Sequence, residues 1–278
     1  MDIFNIVTDS LKSLKRHPKL LFPALILTLF AIIVAYAASH LFLSAIPGQV
    51  LSNHQLYSRI ALALTRVAPT LALIFLLVFL AGVLVKGMYV DLCYNQRKYP
   101  KRPSLRHSFK VALSRYKDLL VYEIAVALVF LALLLITIGP ILLLANSTII
   151  QPYLSGTAIS SQSYINLSGL LVIMLVVLAI LYIAASILLW LGPPIIVLDA
   201  TDAKRALEMS INLGKKEPFR VFGTIVIAYL VVAIAIFLSR ILQAIPFLGV
   251  ILSFIISIGI AAFIELVAPM YYLSFHKR

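Results

Sequence analysis

Six long apolar stretches dominate the hydrophobic pattern of the chain. They cover Leu20–Leu43, Val67–Val90, Leu119–Ala145, Ser168–Leu191, Phe219–Leu238 and Gly249–Leu273. Each stretch is long enough to cross a hydrocarbon core of about 30 Å, which takes about 20 helical residues. The stretches are continuously apolar, whereas strands of a membrane barrel alternate apolar and polar positions. The pattern predicts an all-α polytopic membrane bundle with six transmembrane helices, in a single integral membrane domain over residues 1–278.

The composition excludes a water-soluble globule and a disordered chain. Hydrophobic residues make up 63% of the sequence and charged residues 12%, against about 45–50% and about 25% in soluble domains. Disorder needs low hydrophobicity and high charge, the opposite of this balance. The single cysteine, Cys93, allows no internal disulfide and no paired-cysteine metal or redox site.

The basic residues indicate how the chain is threaded. Nineteen lysines and arginines lie before the first stretch, between the second and third, between the fourth and fifth, or after the sixth; the other side has three, Arg59, Arg66 and Arg240. Cytoplasmic loops of membrane proteins carry the excess of positive charge. We therefore predict a plasma-membrane protein with both termini in the cytoplasm.

Two glycosylation sequons agree with this orientation. Asn146 and Asn166 each begin an Asn-x-Ser/Thr triplet in the predicted loop 146–167, which the charge pattern places outside the cell. Such triplets are common by chance, and they carry glycan only where the host makes it. Asn146 and Asn166 are accordingly candidate glycosylation sites.

Short amphipathic segments precede each pair of stretches. Their apolar residues follow helical spacing at Ile3, Phe4, Val7, Leu11 and Leu14 in 2–16, at Leu105, Phe109, Ala112, Leu113 and Tyr116 in 104–117, and at Ala203, Ala206, Leu207 and Ser210 in 201–215. Helices of this kind lie in the headgroup layer with the apolar side down. The alternative is that they are solvated linkers.

The three segments also resemble one another at a spacing of one hundred residues. Positions 15, 115 and 215 are Lys, Arg and Lys, and positions 22, 122 and 222 are Phe, Tyr and Phe. This similarity predicts three parallel repeat units, 1–98, 99–198 and 199–278, each a short helix followed by a two-span hairpin. The alternative is that all amphipathic helices beside a membrane look alike.

A family resemblance follows from the residues around the last two spans. They are Leu191-Gly192-Pro193-Pro194-Ile195-Ile196-Val197-Leu198-Asp199, Ala203-Lys204-Arg205-Ala206-Leu207-Glu208-Met209-Ser210, Gly214-Lys215-Lys216-Glu217-Pro218-Phe219-Arg220-Val221-Phe222-Gly223, Pro246-Phe247-Leu248-Gly249 and Pro269-Met270-Tyr271-Tyr272. Over about 185–275 the chain resembles the membrane domain found ahead of some glycerophosphodiester phosphodiesterases, and related stand-alone prokaryotic membrane proteins of uncharacterised activity. The resemblance implies a six-span membrane domain. The phosphodiesterase activity is not implied, because these 278 residues leave no room for its catalytic domain.

Three ionisable residues lie inside the apolar stretches. Lys86, Glu123 and Glu265 are candidate site residues because charges in a membrane are costly. They could pair, or line an ion or proton path. Alternatively, Lys86 snorkels to the headgroups and Glu123 reaches the interface. Glu265 continues a stripe with Ser253, Ser257, Ala261 and Pro269 that we expect to face the bundle interior, where a protonated, hydrogen-bonded glutamate is the structural alternative.

Two further features bear on function. Gly139-Pro140 and Gly192-Pro193-Pro194 interrupt spans near the membrane surfaces, where proline more often ends a helix than builds a transport site. A basic cytoplasmic segment holds candidate contacts for anionic lipid headgroups or a protein partner, at Arg97, Lys98, Lys101, Arg102, Arg106 and Lys110. Nucleic acid is a less economical partner for this segment, because lipid is always adjacent.

No catalytic motif is present, and the five histidines form no metal-ligand spacing. We therefore expect no enzymatic activity, no metal and no cofactor. The first hypothesis is a non-catalytic membrane scaffold or accessory subunit, with a membrane-protein partner or as a homo-oligomer. The second is a small transporter or channel that uses Glu265. An intramembrane lipid-modifying enzyme is disfavoured by the absence of motifs.

Overall fold

The computed structural model describes residues 3–45, 53–98, 104–147, 161–245 and 248–275. These residues are almost entirely helical and contain no strand. The helices are α1 (Ile3–Arg16), α2 (Leu21–Ala45), α3 (Asn53–Lys98), α4 (Leu105–Ser114), α5 (Tyr116–Ala145), α6 (Ser161–Leu189), α7 (Gly192–Leu198), α8 (Ala203–Lys216), α9 (Pro218–Leu242) and α10 (Leu248–Phe275).

Among the residues that the structure describes, six helical segments are long and apolar enough to cross a membrane. They are Pro18–His40, Val67–Lys98, Tyr116–Ala145, Leu167–Leu198, Pro218–Leu242 and Leu248–Phe275. Large apolar side chains such as Phe75, Leu143 and Phe237 point outward from three of them. Such a surface suits lipid and would not stay soluble in water. The prediction of an all-α polytopic bundle with six spans is confirmed.

The six spans pack as three hairpins that form a closed arrangement. α2 pairs with α3, α5 with α6, and α9 with α10. Contacts of α3 with α5, of α6 with α9, and of α10 with α2 and α3 join the hairpins to one another. The succession of a short helix and two spans occurs three times in the described residues. The division into repeat units 1–98, 99–198 and 199–278 stays a prediction.

Each short helix packs against the hairpin that precedes it in this arrangement. α4 lies on α3, α8 on α6 and α7, and α1 on α9 and α10. The helices bury small residues where they touch the spans, at Ser10 and Ser13 in α1, Ser108 and Ala112 in α4, and Ala206, Ser210 and Gly214 in α8. Small residues allow helices to approach closely. Ala112, Ala206 and Ser210 belong to the faces predicted from the sequence, whereas the buried serines of α1 and α4 and Gly214 of α8 were not predicted.

The large apolar residues of the short helices divide between exposed and buried positions, and Ile6 of α1 is fully buried. Phe4 and Leu11 of α1 and Phe109 and Leu113 of α4 are all open to the surroundings, whereas Val7 is buried. Each amphipathic helix thus has one side packed on the spans and one side exposed. Their placement in the headgroup layer stays a prediction.

The second membrane-crossing segment begins at Val67 and the third ends at Ala145, as predicted, but α3 and α5 differ from the sequence predictions in other respects. α3 begins at Asn53 and has 46 residues, about 69 Å at the helical rise per residue, so it extends well before Val67. α5 continues through Gly139-Pro140 to Ala145, because a membrane helix can tolerate the loss of one backbone hydrogen bond at proline. The break at Gly192-Pro193-Pro194 is real: α6 ends at Leu189, and the short helix α7 begins at Gly192.

The predicted loop 146–167 is also partly helical. α6 begins at Ser161, so the triplet that starts at Asn166 lies within a helix. Asn146 is exposed just after α5, whereas Thr148 of its triplet lies outside the described residues. Nothing in the structure tests glycosylation of Asn146 or Asn166, which stays a prediction.

Candidate functional site

A cavity of about 620 Å³ lies among six helices of the bundle. Ligand sites in proteins span about 300–1,000 Å³ and are mostly apolar with a few polar groups. The lining comes from α3, α5, α6, α7, α9 and α10 and the residues joining α6 to α7: Lys86, Val90, Tyr122, Glu123, Val126, Phe130, Tyr182, Ile183, Ser186, Ile187, Leu189, Trp190, Pro193, Pro194, Phe222, Ile225, Val226, Tyr229, Ile264, Glu265, Ala268 and Pro269.

All three ionisable residues predicted from the sequence line this cavity. Lys86 comes from α3, Glu123 from α5 and Glu265 from α10. Hydropathy marks each of them separately, because each interrupts an apolar span. It does not show that the three helices meet, so their convergence is a finding of the structure.

Lys86 and Glu123 form an ion pair in the cavity wall. The Lys86 Nζ donates to Glu123 Oε1 at 2.9 Å and to Oε2 at 3.0 Å. Glu123 is only 9% exposed, so the alternative in which it reaches the interface is not what the structure shows. A buried charge needs such a partner, since removal from water is expensive.

Glu265 differs from Glu123 because Lys86 is already engaged. Among the residues the structure describes, the Glu265 carboxylate has no ion-pair or hydrogen-bond partner. It borders the cavity, within electrostatic range of Lys86, Glu123, Tyr89 and Tyr229. If the three charged groups are ionised, the site carries one uncompensated negative charge.

The remaining walls are rich in aromatic side chains. Phe130 and Tyr182 stack at a centroid distance of 4.7 Å across α5 and α6, and Trp190 contacts Tyr271 at 5.7 Å. Phe222 and Tyr229 contribute rings from α9. Single aromatic residues in spans are ordinary, so no sequence pattern indicates that these rings line the same cavity as the carboxylates.

The break at Gly192 shapes one end of the cavity. The Tyr122 hydroxyl donates to the Leu189 carbonyl, and its ring covers Gly192. A Cβ atom at position 192 would lie 1.9 Å from Tyr122 Cζ, so only glycine fits there. Pro193 and Pro194 follow in the first turn of α7 and line the cavity.

A second tyrosine fixes the first hairpin. The Tyr89 hydroxyl donates to the Leu20 carbonyl at 2.7 Å and accepts from the Ala24 backbone N–H at 3.1 Å. It thereby joins α3 to the start of α2.

The predicted inward stripe on α10 is only partly correct. Ser253 and Pro269 are buried and Glu265 faces the cavity, whereas Ser257 is exposed. Four residues advance about 400° around a helix, so a stripe at that spacing drifts by about 40° per step. A stripe of this length therefore cannot keep one face toward the interior.

The basic candidates lie away from the cavity, on α4 and the end of α3. Arg97 is half-buried, and Lys98, Arg106 and Lys110 are exposed; Lys101 and Arg102 lie outside the described residues. Asp91, which the sequence analysis did not single out, anchors α4 there. It accepts from Ser108 Oγ at 2.6 Å and from Asn95 Nδ2 at 2.7 Å.

Within the described part of the chain, no three histidine, cysteine, aspartate or glutamate side chains gather as a metal site would require. Comparison with known protein families, with curated proteins and with solved structures finds no match. The resemblance to the membrane domain of glycerophosphodiester phosphodiesterases therefore stays a prediction.

Proposed function

We propose that the protein is a small membrane transporter in which Glu265 carries either a proton or a cargo cation. The observation that supports this is the contrast between two carboxylates in one cavity. Glu123 is neutralised by Lys86, whereas Glu265 has no partner among the described residues. A carboxylate without a fixed partner can bind and release a proton or a cation.

The energetics of the site favour exchange over a permanent charge. An ionised carboxylate away from water is strongly destabilised unless a proton or a counter-cation accompanies it. Proton and cation therefore compete for Glu265. The ionisable groups within electrostatic range of Glu265 are Lys86, Glu123, Tyr89 and Tyr229, and of these Lys86 and Glu123 are paired with each other.

The scaffold hypothesis has a narrower basis. Exposed Arg106 and Lys110 on α4 offer a basic surface to lipid or to a partner. A scaffold has no need of a cavity that contains an unpaired carboxylate, and for that reason we favour transport. We also propose that the protein lies in the plasma membrane with α1, α4 and α8 on the cytoplasmic side, as the charge pattern predicts.

The test is proton movement in liposomes. The protein is reconstituted with an internal pH-sensitive dye and an acidic interior, and sodium, potassium or tetraphenylphosphonium chloride is added outside. Protein-free liposomes give the background. We expect at least one cation to raise the internal pH in the wild type, Glu265→Gln to abolish the response, and Glu208→Gln, on exposed α8 surface, to retain it.

Two results would contradict the proposal. One is a wild type that responds to none of the three cations. The other is a Glu265→Gln variant that responds as the wild type does.

A further inference from the structure

We propose that the cargo is an organic cation dissolved in the membrane, which enters the cavity from the lipid between α6 and α9. This inference rests on the proposed transport function and adds its substrate class. Three properties of the cavity support it: its charge, its aromatic walls and its open side.

The charge of the cavity selects for a positive ligand. Lys86 is held by Glu123 through two contacts, at 2.9 and 3.0 Å, and so does not neutralise Glu265. A cation that enters brings the counter-charge that Glu265 otherwise lacks. An anion would meet one uncompensated negative charge in an environment of low dielectric, where like charges repel strongly.

The walls favour an organic cation over a metal ion. Inorganic cations are bound by several oxygen ligands, and the described residues hold no group of three histidine, cysteine, aspartate or glutamate side chains. The cavity instead presents the rings of Trp190, Phe222 and Tyr229 in the same lining as Glu265. Aromatic faces attract organic cations, and the attraction is strongest where water is excluded.

The cavity is open toward the surroundings of the bundle. Tyr182 on α6 and Tyr229 on α9 line it, yet they are 54% and 59% exposed. Ile183 and Val226 on the same two helices are also exposed, whereas Val90 and Pro269 on the opposite wall are buried. Because α6 and α9 are membrane spans, this opening faces lipid.

Binding of two ions matched in size and shape tests the charge preference. Tetraphenylphosphonium and tetraphenylborate differ mainly in the sign of their charge. Each is titrated into the protein in nanodiscs of zwitterionic lipid, and the fluorescence of Trp190, the single tryptophan, reports occupancy of the cavity. Empty nanodiscs correct for partition into lipid.

We expect saturable binding of the phosphonium and none of the borate. Glu265→Gln should weaken phosphonium binding about tenfold or more, as loss of a charge-assisted contact does. Glu265→Asp retains the charge and should bind within a few-fold of the wild type, which separates loss of charge from loss of folding. Equal binding of both ions, or no effect of Glu265→Gln, would overturn the inference.

Two variants test entry of the cation between α6 and α9. Val226→Phe enlarges a residue at the opening and should slow phosphonium association about tenfold. Leu230→Phe enlarges an exposed residue of the same helix that does not line the cavity, and should leave the rate unchanged. Equal rates in both variants would exclude entry between α6 and α9.

The binding and flux experiments distinguish failure of the proposed cargo class from failure of the proposed transport function. Proton exchange driven by sodium or potassium without phosphonium binding would overturn the cargo class and leave transport standing. Phosphonium binding that depends on Glu265, without any proton movement, would overturn transport and leave the ligand preference of the cavity.

Discussion

Lys86 and Glu123 depend on each other because neither charge is well solvated inside a span. Removing one member of a buried pair leaves the other uncompensated, and the penalty exceeds what the intact pair contributes. Lys86 keeps 36% of its side chain exposed, so the penalty falls below that of a fully enclosed pair.

We predict that Lys86→Met lowers the free energy of unfolding by about 1–3 kcal/mol, less than for fully buried pairs. The double variant Lys86→Met/Glu123→Gln should recover most of the loss, because it leaves no unpaired charge. Unfolding by SDS in mixed micelles gives the values. Lys110→Met, at an exposed site on α4, is the control. Equal losses in the single and double variants would show that the pair is not the cause.

Gly192 is sterically the most constrained glycine at the cavity. We predict that Gly192→Ala destabilises the protein by about 3 kcal/mol or more, since the new methyl group would displace a packed ring. Gly169→Ala is the matched control, because nothing lies within 4 Å of a Cβ there and alanine favours a helix. Thermal unfolding in detergent compares the two, and a Gly192→Ala protein as stable as the wild type would refute the close contact with Tyr122.

At the level of elements, the short helices are held by close contacts of small residues, together with buried apolar side chains such as Ile6 and Val7 of α1. Gly214 of α8 shows the reason, since a Cβ there would lie 2.7 Å from the Ile187 carbonyl oxygen and 3.0 Å from Leu188 Cα. Ser210 Oγ donates to the Leu188 carbonyl at 2.8 Å one turn away. Both contacts need the backbones of α6 and α8 to lie close together.

We predict that Gly214→Val detaches α8 from α6 and increases protease cleavage around residues 199–203 severalfold. Valine is a better helix former than glycine, so a loss can come only from the contact with α6. Glu208→Val, at an exposed position of α8, should be cleaved at the rate of the wild type. Unchanged cleavage in Gly214→Val would mean that α8 does not need this close approach.

The spans could be predicted from the sequence because lipid imposes one simple requirement, a long apolar helix, which Leu119–Ala145 satisfies on its own. The cavity could not, because its formation depends on which helices are neighbours. Lys86 and Glu123 are 37 residues apart, and no local pattern relates them. The short helix α7 was not predicted, because the sequence Gly192-Pro193-Pro194 is compatible both with the end of one helix and with the start of another.

For the whole molecule, the order of elements demands that successive short helices lie on one side. Two spans separate α1 from α4, and two more separate α4 from α8. A chain that crosses twice returns to the side it left. Ser147 lies past the far end of α5 and so belongs to the opposite side.

We predict this topology for single-cysteine variants in a Cys93→Ser background. A membrane-impermeant maleimide should label Ser147→Cys on intact cells, and Lys12→Cys, Lys110→Cys and Lys204→Cys only after permeabilisation, because positive segments stay in the cytoplasm. Native Cys93 is fully buried and should remain unlabelled in the wild type. Labelling of Lys12→Cys and Lys204→Cys from different sides would contradict the four crossings between them.

The proposed transport function requires that Glu265, and not Glu123, is the carboxyl group of the cavity that exchanges a proton or a cation. Dicyclohexylcarbodiimide, which dissolves in lipid and reacts with protonated carboxyl groups, tests this directly when the modified peptides are read by mass spectrometry. We expect modification at Glu265, none at Glu123 because Lys86 Nζ occupies both of its carboxylate oxygens, and protection of Glu265 by tetraphenylphosphonium. Modification of Glu123 in preference to Glu265, or an unreactive Glu265, would contradict the account.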